Sequence, residues 1–210
     1  FKDCSSLTSV IIGIGVTSIG EGAFSDTAYY NDSSNWENNV LYIGNYLIRA
    51  KTNISGAYEI KSGTKVIADE AFDDCISLTS VIIPDSVLNI GYGSFEDCNS
   101  LTSVTIPDSV LNIGDSAFSF CSSLTEIWFN GNVPDIRVDA FLDVTATAYY
   151  PEGDETWDAY QLSQNYGGTL TWVPFEPEQA DPEEPIPTEP IPTEPEVEEI
   201  TVENIKTSTP

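Results

Sequence analysis

Cysteine side chains at a regular spacing are the first candidates for chemistry in this chain of 210 residues. Cys75, Cys98 and Cys121 follow one another at intervals of 23 residues, and each lies three residues after a phenylalanine, as does Cys4. Thiols can form disulfides, bind metal ions or act as nucleophiles. The chain contains no histidine, so it lacks the Cys–His and Ser–His pairs that activate nucleophiles.

The period of 23 residues favours a structural role for these cysteines. In a stack of repeats, successive copies of one position lie about 4.8 Å apart, which permits a disulfide, but the parallel directions of the side chains oppose one. A zinc site needs a tetrahedron of ligands, whereas these cysteines form a line. We therefore expect buried, unbridged thiols that pack as small hydrophobic groups, and no metal site.

Carboxylates are the second group that could do chemistry. Asp108, Asp115 and Asp139 are candidates for an acid–base pair of the kind that glycosidases use, but Asp108 follows a strand-ending proline, as a turn residue does. The acidic loop Glu152–Glu155 is a candidate for calcium, but it lacks the Asp-x-Asp-x-Asp-Gly spacing of a calcium loop. The sequence therefore predicts no catalytic residue, no cofactor and no enzymatic activity.

A repeat positions all of these side chains. Three segments read alike from Cys75, Cys98 and Cys121: CISLTSVIIPDSVLNIGYGSF, CNSLTSVTIPDSVLNIGDSAF and CSSLTEIWFNGNVPDIRVDAF. A fourth copy, CSSLTSVIIGIGVTSIGEGAF, begins at Cys4. A fixed period in this range indicates a solenoid, in which each unit buries its apolar face only against its neighbours.

Each copy contains the pattern Leu-x-x-Val-x-Ile, as in Leu101, Val104 and Ile106. The alternation at its end is the two-residue period of a strand, and this arrangement is the leucine-rich-repeat pattern. A proline then ends the strand, because it lacks the N–H that a central ladder needs. The sequence predicts a β-rich, right-handed leucine-rich-repeat solenoid of parallel strands, with about 23 residues per repeat.

The stretch F-x-x-C-x-S-L-T-S-V-x-I-P-D-S-V-x-x-I-G-x-x-A/S-F closely resembles the repeats of BspA-like, or treponemal-type, leucine-rich-repeat surface proteins of bacteria. With an insertion and a cap, the resemblance covers about residues 1–175. It implies a secreted or cell-envelope protein that acts in binding or adhesion and not in catalysis.

The repeat register breaks once, in an insertion of about residues 25–50. Val40–Ile43 and Tyr46–Ile48 flank Gly44-Asn45, which is a two-residue turn signal. We expect a β-hairpin that protrudes from the solenoid.

The residues after the last repeat are predicted to form a C-terminal cap, because the end of a solenoid must be closed. Residues 145–150 read as a last strand with Tyr150 at the position of Val104, and Trp157–Asn165 read as a short helix. At the other end, Phe1 lies inside the repeat pattern, from which we expect further repeats upstream.

Charge separates the repeat region from the tail. Residues 176–210 are dense in proline and glutamate and carry eleven acidic residues and one lysine, a net −10, which leaves −17 of the total −27 for residues 1–175. We expect the solenoid to end near residue 175 and the tail to be a disordered or polyproline-II linker. A polyanion repels nucleic acid and anionic membrane surfaces, and no stretch is long and apolar enough to span a bilayer, so neither partner is expected.

The outward face of the strands is the predicted ligand surface, because side chains between the core positions point away from the core. The residues proposed to bind the ligand are Ile82, Thr105, Glu126 and Trp128, where the otherwise regular repeat varies. Trp128 is the largest of them, and aromatic anchors dominate binding hot spots. Alternatively, Trp128 covers the end of the sheet or packs on a tryptophan of the cap.

Together these features predict a monomeric, non-catalytic binding module that lies outside the bacterial cell or on its surface. Its ligand would be an extracellular protein or a polysaccharide. The alternative is a passive spacer that presents another domain of a larger surface protein. A binder needs a contiguous apolar or aromatic patch on the sheet, whereas a spacer needs a uniformly polar one.

Overall fold

The structure is a computed structural model that describes residues 1–177. Residues 178–210, on which most of the predicted tail falls, lie outside the described residues. The elements are, in chain order, α1 (Ala28–Asn31), a 3-10 helix (Ser33–Asn35), β1 (Trp36–Glu37), β2 (Val40–Ile43), β3 (Tyr46–Ala50), β4 (Ser55–Glu59), β5 (Val66–Ile67), β6 (Ser77–Ile82), β7 (Asn89–Ile90), β8 (Ser103–Ile106), β9 (Asn112–Ile113), β10 (Glu126–Phe129), β11 (Asp135–Ile136), β12 (Thr145–Pro151), a 3-10 helix (Gln161–Ser163) and β13 (Thr169–Phe175).

Two sheets form opposite walls of a solenoid whose coils are roughly 23 residues apart, as the sequence predicts. The front sheet has six parallel strands in the order β13-β12-β10-β8-β6-β4. The back sheet has seven strands in the order β1-β2-β3-β5-β7-β9-β11, and its strands from β3 to β11 are parallel. Each regular coil contributes one long strand to the front sheet and one two-residue strand to the back sheet.

The main core lies between the two sheets and is built from repeated side chains. Phe72, Phe95, Phe118 and Phe141 are fully buried and stack in a column, with ring centroids 5.0, 5.1 and 5.4 Å apart and nearly parallel planes. Aromatic side chains carry large buried areas, and stacking adds to the free energy gained from burial alone. Phenylalanines that recur every 23 residues in the sequence thus form a continuous column along the solenoid axis.

Two glycines set how closely adjacent coils approach. A methyl group on Gly114 would lie 2.6 Å from the backbone nitrogen of Tyr92 and 2.7 Å from the carbonyl carbon of Gly91. A methyl group on Gly91 would meet the backbone of Ala68 and Asp69 in the same way. The Ile-Gly pairs at the ends of β7 and β9 therefore lie at points where only hydrogen fits between coils.

The predicted hairpin exists, but it does not protrude. Strands β2 and β3 are antiparallel around Gly44, which has a φ of 59°, and β3 then pairs with β5, so the hairpin extends the back sheet. Both of its faces are buried: Val40 and Leu47 face the main core, whereas Leu41 and Ile48 face a second core. Its strands are apolar on both faces, which is why it lies inside the protein and not on its surface.

The second core joins the hairpin to the first repeat. Ile19 and Phe24 pack against the hairpin residues of this core, and the hydroxyl group of Tyr46 donates a hydrogen bond of 2.7 Å to the carbonyl of Gly13. No strand forms in residues 1–27, although they contain a full copy of the repeat, and Cys4 is exposed. The expectation that all four cysteines are buried is therefore wrong for Cys4, because within residues 1–177 no neighbouring coil packs over it.

At the C-terminal end, strand β12 pairs with β10 in a different register from the predicted one. Ala148 pairs with Ile127, which pairs with Val104, so Ala148 and not Tyr150 occupies the Val104 position. The last turn is two residues shorter than the others, because the strand begins directly after Val144. Strand β12 is followed by a further strand, β13, which pairs with it in parallel.

Aromatic side chains close the end of the core. Trp157 is buried between Phe129 and Trp172, at centroid distances of 4.9 and 5.4 Å, and its indole N–H donates to the carbonyl of Gly131 at 2.9 Å. The predicted helix over Trp157–Asn165 is reduced to the 3-10 turn Gln161–Ser163. Side-chain packing, and not a regular helix, therefore covers the last coil.

Candidate functional site

The outer surface of the front sheet carries two rows of side chains that the strand pairing places side by side. The first row is Glu59, Ile82, Thr105, Trp128, Tyr149 and Val173. The second row is Ala57, Ser80, Ser103, Glu126, Thr147 and Thr171. Neighbouring strands lie about 4.8 Å apart, so side chains of one row touch when they are large.

Three aromatic side chains meet at one end of this surface, and we call Trp128, Tyr149 and Phe175 the aromatic patch. The rings of Trp128 and Tyr149 stack at a centroid distance of 3.8 Å and an angle of 11°, and Phe175 meets Trp128 edge-on at 5.6 Å. All three are partly exposed. Aromatic groups that remain accessible to solvent and are fixed by mutual packing are the usual anchors of a binding surface.

Polar and apolar groups continue the surface away from the aromatic patch. The carboxylate of Glu126 accepts a hydrogen bond of 3.4 Å from the indole N–H of Trp128. Thr105 lies beside Trp128 on β8, and Ile82, which is 58% exposed, follows on β6. The four residues singled out from the sequence therefore lie on one surface, with Glu126 and Trp128 in direct contact.

Trp128 does not stack on Trp157 or Trp172, but it packs on Tyr149 and Phe175 of the cap strands, so the alternative that it covers the end of the sheet still stands. Trp157 and Trp172 belong to the interior, whereas Trp128 stacks on Tyr149 of the outer face. Tyr149 and Phe175 were not among the predicted site residues. The alternation of strand β12 could have indicated that Tyr149 points outward, but its partner could not be identified because the register was two residues off.

The strands of the hairpin expose little surface. Strands β2 and β3 are buried along almost their whole length, with only Arg49 partly exposed. Arg49 forms ion pairs with Asp73 at 3.3 Å and Glu70 at 3.6 Å, and its guanidinium also donates to the carbonyl of Glu70. Its charge is thus already paired within the chain.

The buried cysteines are arranged for packing and not for reaction. The thiol of Cys98 donates to the carbonyl of Phe72 at 3.3 Å, and that of Cys121 to the carbonyl of Phe95 at 3.0 Å. Burial raises the pKa of Cys75 and of Cys121 to about 12 and also raises the pKa of Cys98. Because the thiolate is the nucleophile and the metal ligand, these thiols are inert at neutral pH.

The carboxylates considered for catalysis or calcium binding take part in turns. Asp108 accepts a hydrogen bond of 3.1 Å from the backbone N–H of Asn132 on the next coil. Asp154 accepts from both the backbone N–H and the hydroxyl of Thr156, at 2.8 and 2.7 Å. Within residues 1–177, no group of three or more Cys, Asp or Glu side chains is placed to hold a metal ion. The same residues include no helix with the length and apolar character needed to cross a bilayer.

The repeats match a known family model in six copies, over residues 1–58 and 51–152, and that model describes the BspA-type leucine-rich-repeat region. The chain belongs to this family. No curated protein matches the sequence. The family assignment therefore rests on the BspA-type repeats themselves.

Two solved structures are similar to this BspA-type chain. One is a leucine-rich cell surface protein from Faecalibacterium prausnitzii, with 22% identity and a TM-score of 0.40 over 80% of this chain and 48% of that one. The other is a leucine-rich repeat protein from Bacteroides ovatus, with 20% identity and a TM-score of 0.29 over 83% of this chain and 58% of that one. The chain thus spans about half the length of the first protein.

The BspA-type repeats of this chain vary mainly where they do not pack. In the regular coils from Phe72 to Phe129, the Phe, Cys, Leu and Val positions stay apolar and buried. The outward pair on the front sheet changes from Ser103 and Thr105 to Glu126 and Trp128 in the next coil. The packing residues fix the scaffold, and the outward residues give its surface a local chemical character.

Proposed function

We propose that this chain is a non-catalytic binding module of a bacterial surface or secreted protein, and that it engages an extracellular protein or polysaccharide through the front sheet. The observation that carries the proposal is the contiguous aromatic patch of Trp128, Tyr149 and Phe175. A spacer is expected to have a uniformly polar front sheet, whereas these three partly exposed rings form a contiguous aromatic patch on it. The membership in the BspA-type family supports the location, and the inert thiols support the absence of catalysis.

The proposed binding surface comprises Ile82, Thr105, Glu126 and Trp128, extended by Tyr149. The rigid front sheet holds these side chains in fixed positions, which lowers the entropy lost on binding. The surface needs no metal or cofactor, since its aromatic, hydroxyl and carboxylate groups can contact a ligand directly.

The experiment compares the full chain with its Trp128→Ala variant on a panel of purified extracellular proteins and polysaccharides, with binding measured by biolayer interferometry. We expect at least one ligand whose binding free energy falls by about 1–2 kcal/mol or more in the variant, as for an aromatic anchor. The melting temperature should fall by only about 2–5 °C, because Trp128 lies outside the core and the variant loses mainly its stacking on Tyr149.

The matched control is Leu111→Ala, which removes a hydrophobic side chain that is 59% exposed next to the back sheet. This variant should bind like the unaltered chain. Equal binding by the unaltered chain, Trp128→Ala and Leu111→Ala would mean that the binding site does not include Trp128 on the front sheet. A panel without any ligand would favour the alternative function, a spacer that presents another domain.

A further inference from the structure

The contact between Glu126 and Trp128 points to one kind of ligand group. A carboxylate beside an aromatic ring suits a cationic side chain, which can pair with the charge and lie over the ring at the same time. Glu126 is exposed, and the ion pairs within residues 1–177 do not include it. We propose that this pair is a docking site for an arginine or lysine side chain of a protein partner.

The chain itself contains the complete version of this arrangement. Lys61 lies 3.2 Å from the carboxylate of Glu37, and its ammonium is 5.7 Å from the centre of the Tyr42 ring. Lys51 lies over the ring of Trp36 at 4.9 Å. Two of the six basic residues within residues 1–177 are therefore placed on aromatic rings, one of them with a carboxylate as its partner. The pair of Glu126 and Trp128 has the same two components without the cation.

Charge complementarity selects the partner. The six strands of the front sheet contain no lysine or arginine, whereas Glu59 and Glu126 face outward from them. Residues 1–175 carry a net charge of −17, so an anionic ligand approaching this face meets repulsion that nothing on the sheet offsets. A cationic protein segment is attracted over long range and finds a carboxylate at the aromatic patch.

The ring geometry is also better suited to a cation than to a sugar chain. Trp128 already uses one face of its indole to stack on Tyr149, and Phe175 meets it edge-on. The three rings thus form a compact cluster and not an extended flat platform of the kind that successive sugar rings need. A single guanidinium or ammonium group requires one ring face within about 6 Å and one adjacent carboxylate.

This inference rests on the proposed function, since it names the partner chemistry of the same surface. The test uses the full chain and two blocked pentapeptides, one with a central arginine and one with citrulline, the uncharged isostere, at the same position. Binding is followed through the indole N–H resonance of Trp128, which is assigned from the spectrum of Trp128→Phe. Measurement at about 0.15 M salt limits the contribution of the overall charge.

We expect a saturable shift of the Trp128 resonance with the arginine peptide and about threefold to fivefold weaker binding of the citrulline peptide, as for an exposed cation–π contact. Glu126→Gln should weaken the arginine peptide to a similar extent. Asp115→Asn, which removes the same charge at an exposed position outside the front sheet, should leave the affinity unchanged.

Three results would overturn the inference: equal affinity for the two peptides, equal losses in Glu126→Gln and Asp115→Asn, or no saturable shift. A neutral gluco-oligosaccharide serves as the second probe. If it shifts the Trp128 resonance while the two peptides bind alike, the front sheet remains a binding surface and only the cationic partner is refuted. If neither probe acts on Trp128 and no panel ligand depends on it, the proposed function fails as well.

Discussion

The first repeat and the repeat that begins at Cys98 have nearly the same sequence over their first nine residues and different structures. CSSLTSVII at residues 4–12 forms no strand, whereas CNSLTSVTI at residues 98–106 contains strand β8. Cys4 is exposed and Cys98 is fully buried. The difference shows that this sequence forms a strand where neighbouring coils pair with it and forms none in residues 4–12, where no strand of the front sheet pairs with it.

The insertion explains why the two copies diverge. In the regular coils, each short back strand pairs with the short strand of the coil before it, but strand β5 pairs with β3 of the hairpin. The first repeat therefore packs over the hairpin through the second core, and its strand segment finds no partner in the front sheet. Ile11, at the outward position, is 97% exposed.

Thiol labelling offers the largest contrast between the two copies. In the native protein, Cys4 should react at the rate of a free thiol. Cys75, Cys98 and Cys121 should react at least roughly a thousandfold more slowly, because local unfolding that exposes them costs on the order of 5 kcal/mol. Mass spectrometry after timed alkylation at pH 8 counts the labelled sites. Below pH 12 the raised pKa of Cys75 and Cys121 keeps these thiols protonated and adds to their protection.

Cys4→Ser is the control, and it should remove the fast phase and nothing else. Rapid labelling of two or more thiols, or a mass that reveals a disulfide, would contradict the burial of the three repeat cysteines.

Removing a phenylalanine ring from each copy tests the packing directly. Phe118→Ala should lower the free energy of unfolding by about 3–5 kcal/mol, because it leaves a cavity in the stacked column. Phe1→Ala, at the start of the first repeat, should change it by about 0.5 kcal/mol or less, since Phe1 is 72% exposed. Urea denaturation measures both. A loss below about 1 kcal/mol for Phe118→Ala would mean that the column does not stabilise the solenoid.

Adding a methyl group to a glycine gives a smaller effect of the same kind. Gly114→Ala should destabilise the protein by about 1–3 kcal/mol, because the new group overlaps the backbone of the preceding coil. Gly13→Ala, in the first repeat, meets no atom within 4 Å and should be neutral or slightly stabilising. Thermal melts of the two variants report the difference. Similar melting temperatures would show that coils are not held at the spacing described.

The regular coils were predictable because one period governs them. The spacing of the phenylalanines and cysteines gave the solenoid, the parallel strands and the burial of Phe95, Phe118 and Cys98, and the structure confirms these features. The hairpin was predictable from Gly44-Asn45, but its burial was not, because the sequence does not show that a second core covers Leu41 and Ile48.

The candidate site was predictable only in part. Glu126 and Trp128 could be assigned to the outer face, because side chains along one strand alternate between its two faces and this needs no knowledge of the neighbouring strands. The stacking partner Tyr149 depends on how strand β12 pairs with β10, and the shortened turn after Val144 shifts that pairing by two residues. Phe175 joins the aromatic patch from two strands away, a relation that no local pattern encodes. Whether these residues bind a ligand stays a prediction.

The second core has a consequence for how the molecule opens. It contains eight buried residues, and through them the first repeat is attached to the hairpin, whereas every regular coil is also tied to its neighbours by ladder hydrogen bonds in both sheets. We therefore expect residues 1–27 to open at a lower free energy than the regular coils. Their amide hydrogens should exchange with solvent deuterium first, and the slowest exchange should lie in the central strands β8 and β10, so that protection rises along the solenoid from the first repeat toward its middle.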